Sequence, residues 1–427
     1  GDEVKMSFPA GNAAVAGKYT ITVNSANQFQ YTVALSSSAS GNCTVVFNPT
    51  LSNVTIANEL ATLLNTISGF TVTNDDYIIR ITKDDGGDYY VSSKDNRTGE
   101  DTKAIKEVVD DMSDLPTIAE DGFIVRVQGS KATQLDDYFV KFHVVGTGMG
   151  PHQFGDGTWK ETVAPGIKYK FNATTMPHVL VRNVAANGTV TFEFKKHTWG
   201  ERLAGNATTA PEPSFVDSYI QNINLFRNRL VLLADENVIL SAAAAFERFW
   251  PETVQTVVDS DPVDLSTGGT SINFLVSAVA FANTLLLFSR HGQFRLDAGI
   301  NVGSSLTPKT ASITAMTTFD MADTVDPVAV GRNLYFPIPK GDNFSGVREF
   351  FLPDSSGSVP LSEDITASIP RYLPSNICSF IASVSEEALV LISKDQPGRM
   401  YIYKFFYEDD TKLQSAWSYW EVNADAG

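Results

Sequence analysis

The sequence predicts a mainly β protein, in which blade-like antiparallel sheets of the β-propeller type follow an α+β platform-type domain. The first observation is a pair of apolar runs, residues 230–234 and 238–240, separated by the polar residues Asp235 and Glu236. Short apolar runs broken by a polar pair indicate two antiparallel strands joined by a tight turn. The second observation is that this pattern returns three times in the later chain.

The repeats have a nearly constant period. Their second strands are predicted to begin at Val238, Phe294, Val347 and Met400, which lie 56, 53 and 53 residues apart. This period is typical of blade-like β repeats, which stack because each unit alone leaves an apolar face uncovered. We expect a propeller or a stack of sheets with equivalent strand positions at Leu232, Leu286, Tyr335 and Val390. An ordinary β-sandwich with accidental spacing is the alternative.

With 427 residues the chain exceeds one ordinary core, and we divide it into three segments. Residues 1–145 form the platform-type domain, residues 146–212 a connecting β and loop region, and residues 213–427 the repeats. Apolar periodicity in the first segment predicts the following elements: a hairpin within 17–35, helices at 55–67 (capped by Thr55) and 102–112, and strands at 122–127 and 138–145.

The composition excludes several functions. A formal net charge of −17 argues against DNA binding, which needs a basic surface to release counterions from phosphates. The apolar runs are strand-sized, so no membrane span is predicted. The two cysteines, Cys43 and Cys378, form no CxxC pair and are expected to be unrelated reduced thiols. The five histidines are scattered, and no metal or cofactor motif is present, so we predict neither.

An enzymatic alternative depends on a few carboxylates. The stretch GDGTW at residues 155–159 resembles the Asp-box turn of sialidase propellers, but it occurs once and outside the repeats. Two carboxylate-rich loops, Asp235–Glu236 and Asp259–Asp264, could supply a glycosidase pair. Because acidic residues are frequent in turns throughout this chain, we favour a chance pairing and predict that the protein is not an enzyme.

Several stretches resemble the tail tubular protein B family, the nozzle proteins of short-tailed (podovirus) bacteriophages. They are FRNRLVLLADENVILS at 226–241, FERFWP at 246–251 and DSDPVDL at 259–265, with WKETVAPGI at 159–167, ATTMPHVLVR at 173–182 and VAVGRNLYF at 328–336 in the family's order. The motif residues carried over as structural are Phe226, Arg227, Asn228, Arg229, Asp235, Glu236, Asn237, Trp250, Pro251, Asp261 and Pro262. The family's opening and closing segments are not matched, so we expect a fragment.

This resemblance implies a structural protein of the virion tail, made in the host cytoplasm. Nozzle proteins form a ring of six around the DNA channel below the adaptor ring and contact the tail fibres. They also close the channel until DNA ejection. The resemblance implies no catalytic, cofactor or metal site. A virion-associated polysaccharide-binding or -degrading β-propeller protein is the second hypothesis. A binding module of a cell envelope is the third, and the absence of a signal peptide disfavours it.

Overall fold

The computed structural model describes residues 18–23, 30–36, 41–46, 52–95, 102–128, 137–146, 154–268, 272–281, 283–298, 305–331, 333–351, 361–408 and 411–422. The chain forms two compact units. The first comprises Gly1–Phe171, Glu201–Pro211 and Glu252–Thr256, and the second comprises Asn172–Gly200, Glu212–Pro251 and Val257–Gly427. The three-segment division made from the sequence stays a prediction.

The first unit contains twelve of the described strands and one described α-helix. They are β1 (Lys18–Val23), β2 (Gln30–Ser36), β3 (Gly41–Val46), α1 (Asn53–Leu64), β4 (Phe70–Asp75), β5 (Ile78–Lys83), β6 (Tyr90–Asp95), β7 (Thr102–Ile105), β8 (Val108–Val109), β9 (Ile118–Glu120), β10 (Ile124–Val127), β11 (Tyr138–Val144) and β12 (Phe154–Thr162). Their sheet orders are β4-β5-β1-β7, β3-β2-β6 and β8-β10-β11-β12-β9.

Helix α1 covers one of these sheets with an apolar face. Its buried side chains include Ile56, Leu60 and Leu64, which share a core with β4 and β5. Ser52 caps the helix, because its hydroxyl accepts a hydrogen bond from the Thr55 backbone N–H at 3.3 Å. The predicted helix at 55–67 therefore exists, but it begins and ends earlier, and its cap is Ser52 rather than Thr55.

Two predictions for the first unit were wrong. Strands β1 and β2 do not form a hairpin, because β1 pairs with β5 and β7 whereas β2 pairs with β3 and β6. The segment 102–112 is not a helix: β7 pairs with β1, β8 pairs in parallel with β10, and a 3-10 turn follows at Met112–Asp114. Ile105 and Val109 have helical spacing, yet each is buried as part of a separate short strand.

The second unit contains the remaining described strands. They are β13 (His178–Val184), β14 (Val190–Lys196), β15 (Ile220–Phe226), β16 (Arg229–Ala234), β17 (Asn237–Leu240), β18 (Val263–Ser266), β19 (Leu275–Phe281), β20 (Thr284–Ser289), β21 (Gln293–Asp297), β22 (Ser312–Thr317), β23 (Val328–Val330), β24 (Asn333–Lys340), β25 (Phe344–Phe351), β26 (Leu361–Asp364), β27 (Leu373–Pro374), β28 (Ile377–Ser383), β29 (Ala388–Ser393), β30 (Arg399–Glu408) and β31 (Thr411–Glu421).

Most of these strands form four antiparallel sheets in chain order. Sheet I is β15–β18, sheet II is β19–β22, sheet III is β23–β26 with β27 beside β25, and sheet IV is β28–β31. The apolar runs identified from the sequence are the second and third strands of each sheet. Leu232, Leu286, Tyr335 and Val390 all lie on second strands, in β16, β20, β24 and β29. Their side chains do not share one face, because Leu286 and Tyr335 point toward the next sheet whereas Leu232 lies outside the core between sheets I and II. The mainly β fold with several sheets is confirmed.

Each sheet packs face to face on the next. Alternate residues of a strand point to opposite faces of its sheet, so one strand can contribute side chains to two cores. The cores between consecutive sheets contain the following second-strand residues: Val231 and Leu233 with Leu285 and Leu287 between sheets I and II, Leu286 and Phe288 with Leu334 and Phe336 between sheets II and III, and Tyr335 with Leu389 and Leu391 between sheets III and IV. Sheets II and III are therefore covered by apolar packing on both faces, which explains their continuous apolar runs.

Across the described ranges, no helix is long and apolar enough to cross a membrane.

Candidate functional site: the motif core around Arg229

The motif Phe226–Arg229 begins with a two-residue turn between β15 and β16. Phe226 pairs with Arg229, and the intervening Arg227 and Asn228 have positive φ angles of 46° and 59°. Both central residues of a type I′ turn need a positive φ, and this turn matches the twist of an antiparallel pair. The turn places Phe226 in the core between sheets I and II and leaves Arg227 and Asn228 exposed.

Arg229 is the largest fully buried side chain among the described residues, with 1% of its surface exposed. Its Nη1 donates hydrogen bonds to the carbonyl oxygens of Ser241 at 2.8 Å and Asp261 at 2.6 Å. Its Nη2 donates to the carbonyl oxygens of Asp259 at 2.8 Å and Leu306 at 3.2 Å. The guanidinium group therefore connects three distant chain segments through their backbones.

The charge of Arg229 is compensated only in part. Burial lowers the pKa of Arg229, and the nearby Asp261 carboxylate opposes that effect. Asp261 is itself 5% exposed, and its Oδ2 accepts a hydrogen bond from the Val258 backbone N–H at 2.8 Å. The motif DSDPVDL thus supplies the carbonyl oxygens of Asp259 and Asp261 and the countercharge for the arginine of the FRNR motif. Pro262 follows Asp261 in a half-buried position at the entry to β18.

The Asp235–Glu236 turn contacts the beginning of sheet II. The Asp235 carboxylate accepts a hydrogen bond from the Ser218 hydroxyl, and its backbone carbonyl accepts one from the Leu275 N–H at 2.7 Å. Glu236 Oε1 accepts a hydrogen bond from the Asn273 N–H at 2.6 Å. Asn237 is the first residue of β17 and is half-buried. These acidic side chains position backbone segments and do not form a free pair.

Trp250 is 2% exposed, and the adjacent Pro251 is half-buried. Next to Trp250, Phe249 packs edge-on against Phe215 with a centroid separation of 5.2 Å and lies 6.0 Å from Trp199. The FERFWP stretch and residues 211–216, PEPSFV, therefore meet in one aromatic cluster. The predicted motif residues are thus mostly core and turn positions.

A second buried polar cluster links sheets III and IV, and sequence reasoning missed it. Glu349 on β25 is 1% exposed. Its Oε1 accepts hydrogen bonds from the hydroxyl groups of Tyr335 and Tyr407, both at 2.6 Å, and from the Asn333 amide at 2.8 Å. Its Oε2 contacts the Lys412 ammonium group. The one sequence signal was the charged pair Arg348–Glu349 between the apolar residues Val347 and Phe350 of β25.

The pKa values of the two tyrosines and the lysine in this cluster are all raised. Burial and the Glu349 carboxylate raise the pKa of Tyr335 and of Tyr407. Burial opposes the charge of Lys412, but the hydrogen bond and charge of Glu349 outweigh it and raise the Lys412 pKa. A carboxylate with two phenols and an ammonium group has the residue types of an acid–base site. However, its oxygens are already bonded and the carboxylate is almost wholly enclosed, so the cluster serves to hold two sheets together.

The other carboxylates considered for an enzymatic function, Asp156 and Asp264, lie in a paired strand or accept a backbone hydrogen bond. The GDGTW stretch lies within strand β12, paired with β11, so it does not form the turn of an Asp-box. A Cβ atom on Gly157 would lie 2.3 Å from the His143 carbonyl oxygen, so close strand packing explains the glycine. Asp264 accepts a hydrogen bond from the Ser214 N–H at 2.7 Å, and burial raises its pKa.

Within the first unit, Glu161 of the WKETVAPGI motif organises a returning loop. Its carboxylate accepts hydrogen bonds from the Thr253 hydroxyl at 2.6 Å, the Val254 N–H at 2.8 Å and the Gln255 amide at 3.1 Å. Trp159 in the same motif donates to the Pro116 carbonyl oxygen at 2.8 Å. Among the described residues, no group of three or more His, Cys, Asp or Glu side chains is placed to hold a metal ion.

The profile of the family described as bacteriophage nozzle protein matches residues 9–426. The chain belongs to this family. A curated relative, the tail tubular protein gp12 of Escherichia phage T7, is 32% identical over 368 residues, which are 86% of this chain and 44% of that protein. The chain thus spans less than half the length of this relative. The family resemblance inferred from the order of the motifs is confirmed.

A Bacteroides uniformis protein whose crystal structure was assigned to a 6-phosphogluconolactonase aligns with 78% of this chain and 92% of its own, at 12% identity and a TM-score of 0.31. A score this low establishes no shared fold, and nothing about the nozzle family chain follows from it.

Proposed function

We propose that this chain is a structural component of a phage tail. In this proposal it helps form a nozzle ring of six copies that continues the DNA ejection channel below the adaptor ring. It also helps attach the tail fibres, and it resides in the virion tail after synthesis in the host cytoplasm. The observation that carries the proposal is the family match over residues 9–426, nearly the whole chain.

The buried polar groups support a mechanical role. Arg229 donates only to backbone carbonyl oxygens, and Glu349 is surrounded by donors from two adjacent sheets. Such buried hydrogen-bonded networks specify one arrangement of the backbone, because the loss of a partner leaves a buried group unsatisfied. A tail component that must transmit load benefits from this kind of internal connection.

We further propose that sheets I to IV are consecutive blades of a β-propeller. Their four-stranded meander order and their face-to-face packing in chain order support this arrangement. Radial repetition of such sheets is the propeller architecture. A propeller would supply a rigid body on the outside of the nozzle.

The net charge of −17 suits a DNA conduit. Six times −17 gives −102 for a complete ring, although salt screens exposed charges beyond about 8–10 Å. Like charge keeps DNA mobile, whereas a basic channel would bind its phosphates.

Electron microscopy of the intact protein mixed with its adaptor ring tests the proposal. We expect rings of six that extend the adaptor channel, with density for a propeller in each subunit. Monomers that never associate with the adaptor would contradict it. A DNA gel-shift assay provides an independent check, because tight binding of double-stranded DNA that survives about 0.2 M salt is incompatible with a conduit.

The polysaccharide hypothesis has its own test. Purified protein incubated with host surface polysaccharide is expected to release no reducing ends, and Asp156→Asn, Asp235→Asn, Glu236→Gln and Asp264→Asn should behave like the wild type. Hydrolysis that one of these changes abolishes without loss of thermal stability would establish an enzyme.

A further inference from the structure

The hairpin β13–β14 forms a separate two-stranded sheet in the second unit. Its strands pair in unbroken register from His178 with Lys196 to Val184 with Val190, and neither joins another described sheet. Gly188, with a φ of 83°, lies in the connecting turn. An isolated hairpin is marginally stable in water and usually needs a packed face.

One face of this hairpin is apolar and open to solvent. Directly paired residues share a face, so Leu180 lies beside Phe194, and Val184 beside Val190, on the same side as Phe192. Their exposed fractions are large: Leu180 64%, Val184 54%, Val190 41%, Phe192 64% and Phe194 73%. On the opposite face Val179 and Val181 are half-buried. A contiguous apolar face of this kind marks an interaction surface.

The charges on the exposed face have one sign. Arg182 and Lys196 lie on it, whereas Glu193, the one carboxylate between residues 178 and 196, lies on the opposite face and pairs with Lys195 at 3.0 Å. The hairpin therefore presents an apolar and basic surface on a chain whose net charge is −17.

We infer that this hairpin face packs on a different, acidic surface of a neighbouring copy of the same chain. Charge complementarity favours an acidic partner, and every copy of this chain is acidic. Two identical hairpin faces would instead place Arg182 against cations, so the contact is heterologous. Heterologous contacts repeat head to tail, and they form a ring when the rotation between neighbouring copies closes. The inference thus rests on the ring of the proposed function and names one of its contacts.

DNA fits this face less well. Phosphates would engage Arg182 and Lys196, but five apolar side chains would remain in water, and nonspecific DNA binding arises almost entirely from the cations. The apolar area indicates a protein partner.

The size of the face determines how the contact must be tested. Each strand has seven residues, and at about 3.3 Å per residue and about 4.8 Å per strand the face covers on the order of 220 Å². A standard interface buries about 800 Å² per partner, so the hairpin supplies about a quarter of one. The contact is therefore part of a larger ring interface, and it must be probed in the assembled protein.

The experiment uses the intact protein under conditions in which the wild type forms rings. A photo-crosslinking amino acid replaces Phe194 in a mixture of copies that carry two different affinity tags. We expect crosslinked products that contain both tags. In parallel, Phe192→Asp removes apolar area and adds repulsion, so the ring fraction should fall at least about tenfold, as for a central interface residue.

Thr191→Asp is the matched control, because Thr191 is exposed on the opposite face of the same strand. It should assemble like the wild type, and both variants should melt like the wild type as isolated chains. Crosslinks that stay within one chain or reach DNA or another tail protein would overturn the inference, as would normal assembly of Phe192→Asp. If wild-type rings form and the variant is unaffected, this inference fails alone. If the wild type forms no ring under any condition, the proposed function fails and takes the inference with it.

Discussion

The hydroxyl of Tyr407, on β30 of sheet IV, donates a hydrogen bond of 2.6 Å to Glu349, on β25 of sheet III. The two sheets are therefore connected by directional bonds as well as by the apolar core between them. Because Glu349 is 1% exposed, each of its donors replaces water that the carboxylate has lost. This relationship makes the cluster sensitive to the removal of any one partner.

Lys412→Met should destabilise the stacked sheets strongly. Lys412 supplies the positive charge beside the buried Glu349 carboxylate, and breaking a buried ion pair on one side costs about 3–5 kcal/mol. Urea unfolding followed by tryptophan fluorescence measures the change. The double variant Lys412→Met, Glu349→Gln should regain part of the loss, since no charge is then left unpaired. A single variant as stable as the wild type would show that the carboxylate is solvated.

The stability of the protein should fall at high pH. The pKa values of Tyr335, Tyr407 and Lys412 are raised in the folded state. Stability from a raised pKa is fully present below the unfolded value, about 10 for Tyr and about 10.4 for Lys, and is lost as the pH rises above it. Urea midpoints should therefore be lower at about pH 10.5 than at about pH 8. In the double variant Tyr335→Phe, Tyr407→Phe, the urea midpoint at pH 8 should be lower than that of the wild type. The midpoint of this variant should also depend less on pH. An equal pH dependence would contradict the assignment to this cluster.

Arg229→Met should be among the most destabilising single substitutions in the second unit. It leaves the carbonyl oxygens of Ser241, Asp259 and Asp261 without their buried donor, and each unsatisfied group costs about 1–3 kcal/mol. Arg229→Lys should restore little of the lost stability, because an ammonium group lacks the planar set of N–H donors of a guanidinium group. Arg227→Met, at an exposed position of the adjoining turn, is the control and should change the free energy of unfolding by less than about 1 kcal/mol. Equal effects of the two methionine variants would refute the role of Arg229.

Leu232→Ala and Leu286→Ala should each cost about 2–5 kcal/mol, through lost apolar transfer and the cavity left behind. The side chains are 0% and 1% exposed. Leu180→Ala offers the same chemical change at a site that is 64% exposed, and it should be nearly neutral. Thermal unfolding of the three variants separates these outcomes, and an unchanged melting temperature in either buried variant would disprove its burial.

Local pattern predicted the second and third strands of sheets I to IV well. Runs such as Val231 to Ala234 are covered on both faces, so their residues are apolar throughout and stand out in the sequence. The motif around Arg229 was also visible, although only as a family pattern. The structure explains this motif by the Arg229 guanidinium group, which donates to carbonyl oxygens 12 to 77 residues away in sequence. Such long-range contacts cannot be read from a local sequence pattern.

The sequence by itself determined that this chain is mainly β, that two-strand units recur along it, and that it belongs with nozzle proteins. These properties follow from apolar periodicity and motif order, which are local. Tertiary structure alone decided that β1 pairs with β5 and β7 rather than β2, and that Thr102–Ile105 is a strand rather than part of a helix. It also decided that Glu349 meets Lys412. The physical reason is that strand pairing and buried charge compensation use partners far apart in the chain, and their free energy overrides local propensity.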